Sequence, residues 1–402
     1  LRAVEHSGDE HRQVIRHEHL SALVLCLPAV RSWLTAAGCD YDAVVAGVLS
    51  HHAKASDQNG AWPWAEITTE RHVPVFLQHP EIAAILARIA TRLGQPWTGV
   101  LPTDPWPAPV WEQAWSDGLD AASALDHADT ERVIPQRNHL LAVKAAVIVA
   151  DAVASGLWRT NASLDVFLST SLHREPLTSA QIWREVIDQR VEQQRRQGKW
   201  RTWSGCQEAA DHLGDRAAII AGCGAGKTLA AWRWAAAVAE RHPVGSVIFL
   251  YPTRATATEG FKDYVAWAPE ADARLLTGTA TLDLVGMQAN PPESMRGKQY
   301  EDEASARLFA LGNWGRRYFS ATLDQFLSFL EHGYSGLCLL PQLADAAVII
   351  DEVHSLDAHL FARLCALLTH FRLPVLLMTA TLPRERIDKL CALGARIFPD
   401  AG

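Results

Sequence analysis

The residues that could do chemistry begin at Ala221. The segment AGCGAGKT, residues 221–228, places Gly222, Cys223, Gly224, Ala225 and Gly226 ahead of Lys227 and Thr228. Glycines at this spacing leave no Cβ in the way, so successive backbone N–H groups can converge on phosphate oxygens. An Ala-rich helix follows, and its N-terminus adds partial positive charge at the same point. Lys227 then reaches the β- and γ-phosphates of a nucleoside triphosphate such as ATP, and the Thr228 hydroxyl offers itself to Mg2+. Ala221 stands where the pattern begins with Gly. A plain glycine turn is the alternative. The apolar run Ala217–Ala221 before the turn and the helix after it supply the strand–loop–helix setting that the motif requires.

A second group lies at IIDEVH, residues 349–354. Asp351 directly follows an apolar run, where it can hold Mg2+. Glu352 is placed to orient or deprotonate an attacking water. His354 is expected near both the γ-phosphate and a third group, Thr379, Ala380 and Thr381. The short hydroxyls of that group can bond to the acidic segment and couple the phosphate site to a second surface. Lys227, Asp351, Glu352 and His354 form the expected catalytic set.

Positioning these groups takes a sheet. From Gln207 onward, apolar β-rich runs alternate with helical stretches, which is the pattern of a parallel sheet. The runs are Ala217–Ala221, Ser246–Leu250, Ala273–Leu276, Ala346–Ile350 and Val375–Met378, with a shorter one at Arg317–Ser320. Ligands bind at the carboxyl ends of such strands, and the groups above follow those ends. Residues 283–304, with Asn290-Pro291-Pro292 and clustered charge, read as an exposed loop.

Residues 1–160 read as mostly helical. Arg16–Leu27 has helical apolar spacing and ends at Pro28, Ala43–His52 is a second apolar helix, and His139–Leu157 is a third that carries Asp151. A Trp- and Pro-rich stretch, Ala61–Trp111, reads as an irregular insertion around a helix near Pro80–Leu93. His17, the His51-His52 pair and Asp151 therefore lie on three helices. Bundles build metal centres from side chains on facing helices, and imidazole with carboxylate suits divalent transition metals. A lone buried His is more often a satisfied core residue; four such groups on apolar helices shift the balance toward a metal site without outweighing that reading.

Residues 160–205 read as a connector. Glu and Asp are mixed with Arg from Gln181 onward, which fits a solvated helix with i,i+4 ion pairs. The run RRQGKWR, Arg195–Arg201, has no acid and one aromatic, and is the better candidate for a phosphate track.

With 402 residues, 49 % of them hydrophobic and 20 % charged, the chain has material for two or three domains. No apolar run is long and uncharged enough to span a membrane. The seven cysteines lack paired close spacing, which argues against a zinc site and a disulfide framework, and fits a reducing cytoplasm. A net charge of −8 means that a nucleic-acid partner needs a local basic track. Most of the 15 tryptophans are expected in packing. The chain opens on Leu1 rather than Met, so its start is expected upstream.

AGCGAGKT, YPTRATA at 251–257, DEVH and TAT together resemble superfamily 2 helicases. That resemblance assigns adenine recognition to Gln207 and DNA-backbone contacts to Pro252, Thr253, Arg254, Thr277 and Gly278. Thr322, with Asp324 and Gln325, resembles the TxDQ element of the CRISPR helicase branch. RHEHLSAL, LSHH and VIVADAVASGLW resemble the later motifs of the HD-type nuclease domain in the CRISPR-associated helicase–nucleases of type I systems. The resemblance implies that His17, His51, His52 and Asp151 help to hold Mn2+, Co2+, Ni2+ or Fe2+ ions that activate water against single-stranded DNA. It also implies recruitment by a crRNA-guided surveillance complex. The family's first His and its His-Asp dyad have no counterpart here and are expected before Leu1, or the nuclease centre is incomplete. A second RecA-like lobe is expected beyond Gly402.

The expected architecture is α plus α/β. A helical HD-type domain spans 1–160, a basic connector 161–204, and a RecA-like parallel-sheet lobe 205–402. Two other readings stay open: a superfamily 2 helicase of another role whose helical domain binds no metal, and a complex subunit that docks through a degenerate helical bundle.

Overall fold

The structure is a computed structural model. It describes residues 17–49, 51, 76–105, 134–160, 175–252, 317–331 and 334–399, with a few positions between 109 and 120 and at 163 and 165. The expected strand Ala273–Leu276 and the expected loop 283–304 lie outside the described residues. The chain divides into two compact units at Ala150/Asp151.

The first unit is helical. Helices α1 (His17–Leu25), α2 (Pro28–Ala36), α3 (Tyr41–Leu49) and α4 (Pro80–Leu93) are followed by α5 (Ile134–Thr160), which runs on past the division. Pro28 does end α1, and it also opens α2, because proline is tolerated in a first helical turn where its missing N–H has no partner to lose. Leu23, Cys26, Val30, Leu34, Val45 and Leu49 make the buried core. Trp33 sits edge-on to Trp97 at 5.1 Å and donates its indole N–H to the Gln95 carbonyl at 3.1 Å. That ties α2 to the chain leaving α4. The His79 ring accepts from the Glu81 N–H at the start of α4, and Gly94 ends it in the left-handed region at φ 65°. Gly47 faces α5 so closely that a Cβ there would come within 2.8 Å of Val143 Cγ1.

The second unit holds the sheet. Ahead of it lie α6 (Ser179–Ile182), a π-helical turn at Trp183–Ile187, and α7 (Asp188–Arg196), then the short α8 (Gly205–Ala210). The sheet elements follow: β1 (Arg216–Ile220), α9 (Lys227–Arg241), β2 (Ser246–Tyr251), β3 (Tyr318–Thr322), α10 (Leu323–Leu327), α11 (Tyr334–Leu339), β4 (Ala346–Ile350), α12 (Ala358–His370), β5 (Val375–Thr379), α13 (Arg384–Ala392) and β6 (Arg396–Phe398). All pairings are parallel and the order is β3-β2-β4-β5-β1-β6. This is the RecA-like α/β sheet that the sequence pattern implies. β6, a three-residue edge strand, is an addition to the expected set. It is too short to carry a periodic signal, and β1 supplies its pairing.

Central strands β2, β4 and β5 are buried along their whole length, as strands covered on both faces must be. α9 is buried from Leu229 to Val238. Its Trp232 packs on Phe249 of β2 at 5.1 Å and on Tyr318 of β3 at 5.3 Å. Arg233 on the same helix is buried and needs a partner, which Asp211 supplies through two hydrogen bonds. The region before residue 205 belongs to this unit: Leu177 bridges to Val244, and Ser179 donates to Glu240 at 2.8 Å. The ion pair Arg196–Glu192, at i,i+4, is present in α7. Among the described residues, no helix is long and apolar enough to cross a membrane.

Candidate nucleotide site and its neighbours

The turn after β1 is built as its glycines require. Gly224 and Gly226 take φ of 79° and 87°, the left-handed region that side chains resist. A Cβ on Gly226 would strike the Gln207 amide nitrogen. The turn is anchored from outside. Ser204 and Gln207 form a capping box on α8, with the Ser204 N–H donating to Gln207 Oε1 at 2.9 Å. Gln207 Nε2 then donates to the Gly226 carbonyl at 3.1 Å, and the Ser204 hydroxyl donates to the Ala225 carbonyl at 2.8 Å. Gln207 is only 5 % exposed. Each end of its amide therefore has a bond inside the protein. Its carboxamide holds the turn as well as lying beside it.

Lys227 opens α9 and donates to the Ala221 and Gly222 carbonyls at 2.9 and 3.3 Å. Thr228 follows it in the first turn, half-buried. Gly222, Cys223 and Gly224 are exposed. The loop thus presents backbone N–H groups, an ammonium and a hydroxyl to one side of the sheet's carboxyl edge.

The acidic segment meets it there. Asp351 continues β4 by donating its N–H to the Leu250 carbonyl at 3.0 Å. Its side chain is buried and accepts from the Glu352 N–H at 2.8 Å. Glu352 is held at φ 54°, the one non-glycine in the left-handed region among the described residues. Such strain persists only where the surroundings enforce it, and it turns the Glu352 carboxylate away from the direction a regular strand would give it. β1 and β4 both flank β5. With strands about 4.8 Å apart, the two ends open roughly 10 Å from each other, within the reach of one nucleotide.

β5 joins the two halves. The Ala221 N–H donates to the Thr379 carbonyl at 3.0 Å, so the turn begins where TAT begins. Thr379 Oγ1 donates to the Thr381 carbonyl at 2.8 Å and accepts from the His354 N–H at 3.1 Å. A hydroxyl has one hydrogen, so the 3.1 Å contact with His354 Nδ1 must be a bond donated by the ring. The same Nδ1–H faces Glu352 Oε2 at 3.1 Å. Thr379, Thr381, His354 and Glu352 form one network, with Ala380 between the threonines.

Of the expected DNA-contact residues, Pro252 and Thr322 are described. They stand side by side, at the carboxyl ends of β2 and β3, where Tyr251 pairs with Thr322. Thr253, Arg254, Thr277 and Gly278 lie outside the described residues. Asp324, just past Thr322, accepts from the buried Arg363 of α12 at 2.7 Å. Ser204 and Arg363 are supports that motif reading passed over. The S-x-x-Q spacing of Ser204 and Gln207 carries the first; no local signal carries the second.

Of the expected metal ligands, His17 opens α1, Asp151 is half-buried in α5, and His52 lies outside the described residues. His51 follows α3 and is buried, with Nδ1 at 2.6 Å from the Val48 carbonyl. A carbonyl can only accept, so Nδ1 carries the proton and, in the neutral ring, Nε2 is the nitrogen with a lone pair. Among the described residues no group of three or more His, Cys, Asp or Glu side chains is arranged to hold a metal.

Residues 205–390 match the model of the DEAD/DEAH box helicase family. A CRISPR-associated nuclease/helicase Cas3 of Myxococcus xanthus is 33 % identical over 96 % of this chain and 50 % of its own length. A protein of the same name from Methanocaldococcus jannaschii is 26 % identical over 43 % of this chain and 24 % of its own. A crystal structure of T. fusca Cas3 with AMPPNP aligns at 18 % identity and TM-score 0.42, covering 94 % of this chain and 50 % of that one.

Sheet, turn and acidic segment thus define the nucleotide-binding lobe of a DEAD/DEAH box helicase. The chain is similar to CRISPR-associated nuclease/helicases over almost its whole length, and it spans about half the length of the Myxococcus relative.

Proposed function

We propose that this chain is part of an ATP-dependent single-stranded DNA translocase and metal-dependent nuclease that degrades target DNA in type I CRISPR interference. The observation that supports the motor most directly is the bond from the Ala221 N–H to the Thr379 carbonyl, beside the Thr379–His354–Glu352 network. It puts the phosphate turn, the candidate water-orienting acid and the coupling threonine in one connected set.

In this reading the N–H groups of residues 222–226, with Lys227, bind the triphosphate. Thr228 and the buried Asp351 are the oxygen donors that suit Mg2+, which when bound neutralises charge on the β- and γ-phosphate oxygens. Glu352 orients the attacking water and accepts its proton, while His354 fixes the carboxylate through Nδ1–H. Pro252, Thr253, Arg254, Thr277, Gly278 and Thr322 line the DNA path, and Gln207 both steadies the turn and meets adenine. Hydrolysis moves through the hydroxyl link at 379–381 to that path.

The nuclease reading rests on His51. Its buried ring, with Nδ1–H committed to a carbonyl, fits a ligand of Mn2+, Co2+, Ni2+ or Fe2+, with His17, His52 and Asp151 completing the set. A T. fusca Cas3 has been crystallised with ATP, and a related chain occurs in a structure of a CRISPR RNA-guided surveillance complex before nicking. By analogy, this protein takes ATP and is recruited by such a complex to the displaced strand, in the cytoplasm.

The test is binding and cleavage by the complete protein. Lys227→Ala should abolish ATP binding and leave Mn2+- or Ni2+-dependent nicking of single-stranded DNA. His51→Ala and Asp151→Ala should abolish nicking and leave ATP binding. ATP hydrolysis at the normal rate by Lys227→Ala would defeat the motor assignment. Nicking that persists in both ligand variants would favour a docking role for the helical unit.

A further inference from the structure

Arg363 lies on the face of α12 that carries Leu360, Leu364 and Leu367, all buried. It is buried itself, and a charged group within an apolar stripe must be paired. Two of its donors go to one residue. Nη1 donates to Asp324 Oδ1 at 2.7 Å, and Nη2 donates to the Asp324 carbonyl at 3.3 Å. The guanidinium therefore holds residue 324 by side chain and backbone together, as a rigid fork of donors can and a single ammonium does less well.

The pair is one-sided. Asp324 is 73 % exposed, so water would satisfy its carboxylate wherever its segment lay. Arg363 has no such freedom. Pairing adds little stability to an exposed charge, and a buried guanidinium is often replaced by a well-packed apolar chain without loss. What the pair secures is position: the buried partner determines where the exposed one sits.

That position adjoins the expected DNA path. Thr322 ends β3 beside Tyr251 of β2, is half-buried, and opens α10 without using its side chain as a cap. Its backbone is held by the sheet on one side and, just past buried Leu323, by Arg363 on the other. Farther along, Phe329 packs edge-on against Phe371 at the end of α12, with ring centres 5.4 Å apart. The segment from 322 to 329 is thus fastened to α12 at two points. The same helix begins where the acidic segment 351–356 ends. Asp357 caps it by accepting from the Leu360 N–H at 2.7 Å. Arg363 lies less than two turns beyond that cap, about 9 Å along the axis. One helix therefore joins the acidic segment to the residues around Thr322.

We propose that Arg363 is a positioning residue for DNA contact: by gripping Asp324 it fixes Thr322 on the strand path, and through α12 it carries the state of that path to the acidic segment. This role rests on the reading of Thr322 as a strand contact. It is a route separate from Thr379, which reaches the acidic segment from β5.

Arg363→Met in the complete protein keeps the long stem and removes both donors. Its melting temperature should equal or exceed that of the parent, as for a buried ion replaced by an apolar chain. Hydrolysis of ATP without DNA should be unchanged. Single-stranded DNA should bind about tenfold more weakly, the size of one lost hydrogen bond to a charged group, and the strand concentration that half-stimulates hydrolysis should rise in step. Arg363→Lys, which keeps the charge and one bond to Asp324, should fall between. A purely structural pin would instead lower the melting temperature and hydrolysis without DNA, and leave strand affinity of the folded protein as it was; that result overturns the role, as does any Arg363→Met protein that binds the strand like the parent. If Arg363→Met does not fold, Asp324→Asn at the exposed end of the pair takes its place in the strand assay, and parental affinity there overturns the role equally. A parent that binds the strand but hydrolyses no ATP defeats the motor reading alone, and the strand affinities still decide Arg363. A parent that binds no strand overturns both.

Discussion

Thr379 holds His354 at two points, accepting from its backbone N–H and from its ring Nδ1–H, both at 3.1 Å. The threonine is 1 % exposed at the carboxyl end of β5, and its own carbonyl receives the first N–H of the phosphate turn. One residue therefore touches the turn through its backbone and the acidic segment through its side chain. Displacement of either is felt by the other without any longer chain of contacts.

Thr379→Val tests that link. Valine keeps the shape and removes both the acceptor and the donor. The His354 N–H and the Thr381 carbonyl lose this partner, while the ring Nδ1–H keeps Glu352; both residues reach solvent, so each lost bond costs about 0.5–1.5 kcal/mol. The turn's own bonds to Gln207 and Ser204 are untouched, so ATP affinity should stay near the parent value. Stimulation of hydrolysis by single-stranded DNA should fall. Thr379→Ser should restore it. The measurement is kcat and KM for ATP with and without DNA, and unchanged stimulation in the valine variant would remove Thr379 from the coupling path.

The acid that faces His354 gives a sharper split. Glu352→Gln preserves size and leaves the His354–Thr379 bonds in place, while removing the carboxylate proposed above to take the proton of the attacking water. Hydrolysis should drop by about 10²–10⁴, the usual contribution of a positioned base, with little change in the ATP dissociation constant. Isothermal titration and single-turnover hydrolysis separate the two. A parallel loss of binding would mean that Glu352 serves the nucleotide and not the water.

Much of this arrangement was legible in the sequence because the motifs are local. Each lies in a few consecutive residues after an apolar run, and the runs at 346–350 and 375–378 recur as β4 and β5 within one residue. Helix Pro80–Leu93 is visible from its proline start and glycine stop. Other features are not local. β6 exists because β1 has a free edge, the π-turn at Trp183 has no composition of its own, and Arg363 is buried because Asp324, 39 residues earlier, lies above it. Gln207 shows the middle case. Its spacing from Ser204 announces a capping box, while the bond of its amide nitrogen to Gly226 emerges only when α8 packs against the turn.

Asp215 offers a pH test away from the nucleotide turn, just ahead of β1. Burial pushes its carboxyl up, but hydrogen bonds from His242 at 2.8 Å and Arg241 at 3.1 Å, with their charges, outweigh burial and hold it below the ordinary value of 3.8. A carboxylate with a depressed folded pKa adds stability above its unfolded pKa and loses it as pH falls through the folded one. Asp215→Asn should therefore melt earlier than the parent chain at neutral pH, and the gap should begin to close near the ordinary value of 3.8 and vanish as pH falls through the depressed folded value. Melting curves across pH 2–7 check this, and a constant gap over that range would exclude the ionised form as the source.

The turn and its strut can be separated by a double-mutant cycle. Gly226→Ala asks a side chain to occupy φ 87° and drives its Cβ into Gln207 Nε2. The left-handed conformation costs an alanine about 1–2 kcal/mol, and the collision adds to that. Gln207→Ala alone removes the bond to the Gly226 carbonyl and leaves the backbone angle free to drift. If the collision dominates, Gly226→Ala in the Gln207→Ala background should cost less than it does in the parent chain, a coupling of about 0.5 kcal/mol or more in thermal melts. ATP affinity should follow the same order, because the N–H groups at 222–226 converge only while the turn keeps its shape. Additive losses in both measurements would show that Gln207 and Gly226 act independently, and that the amide lies beside the turn without holding it.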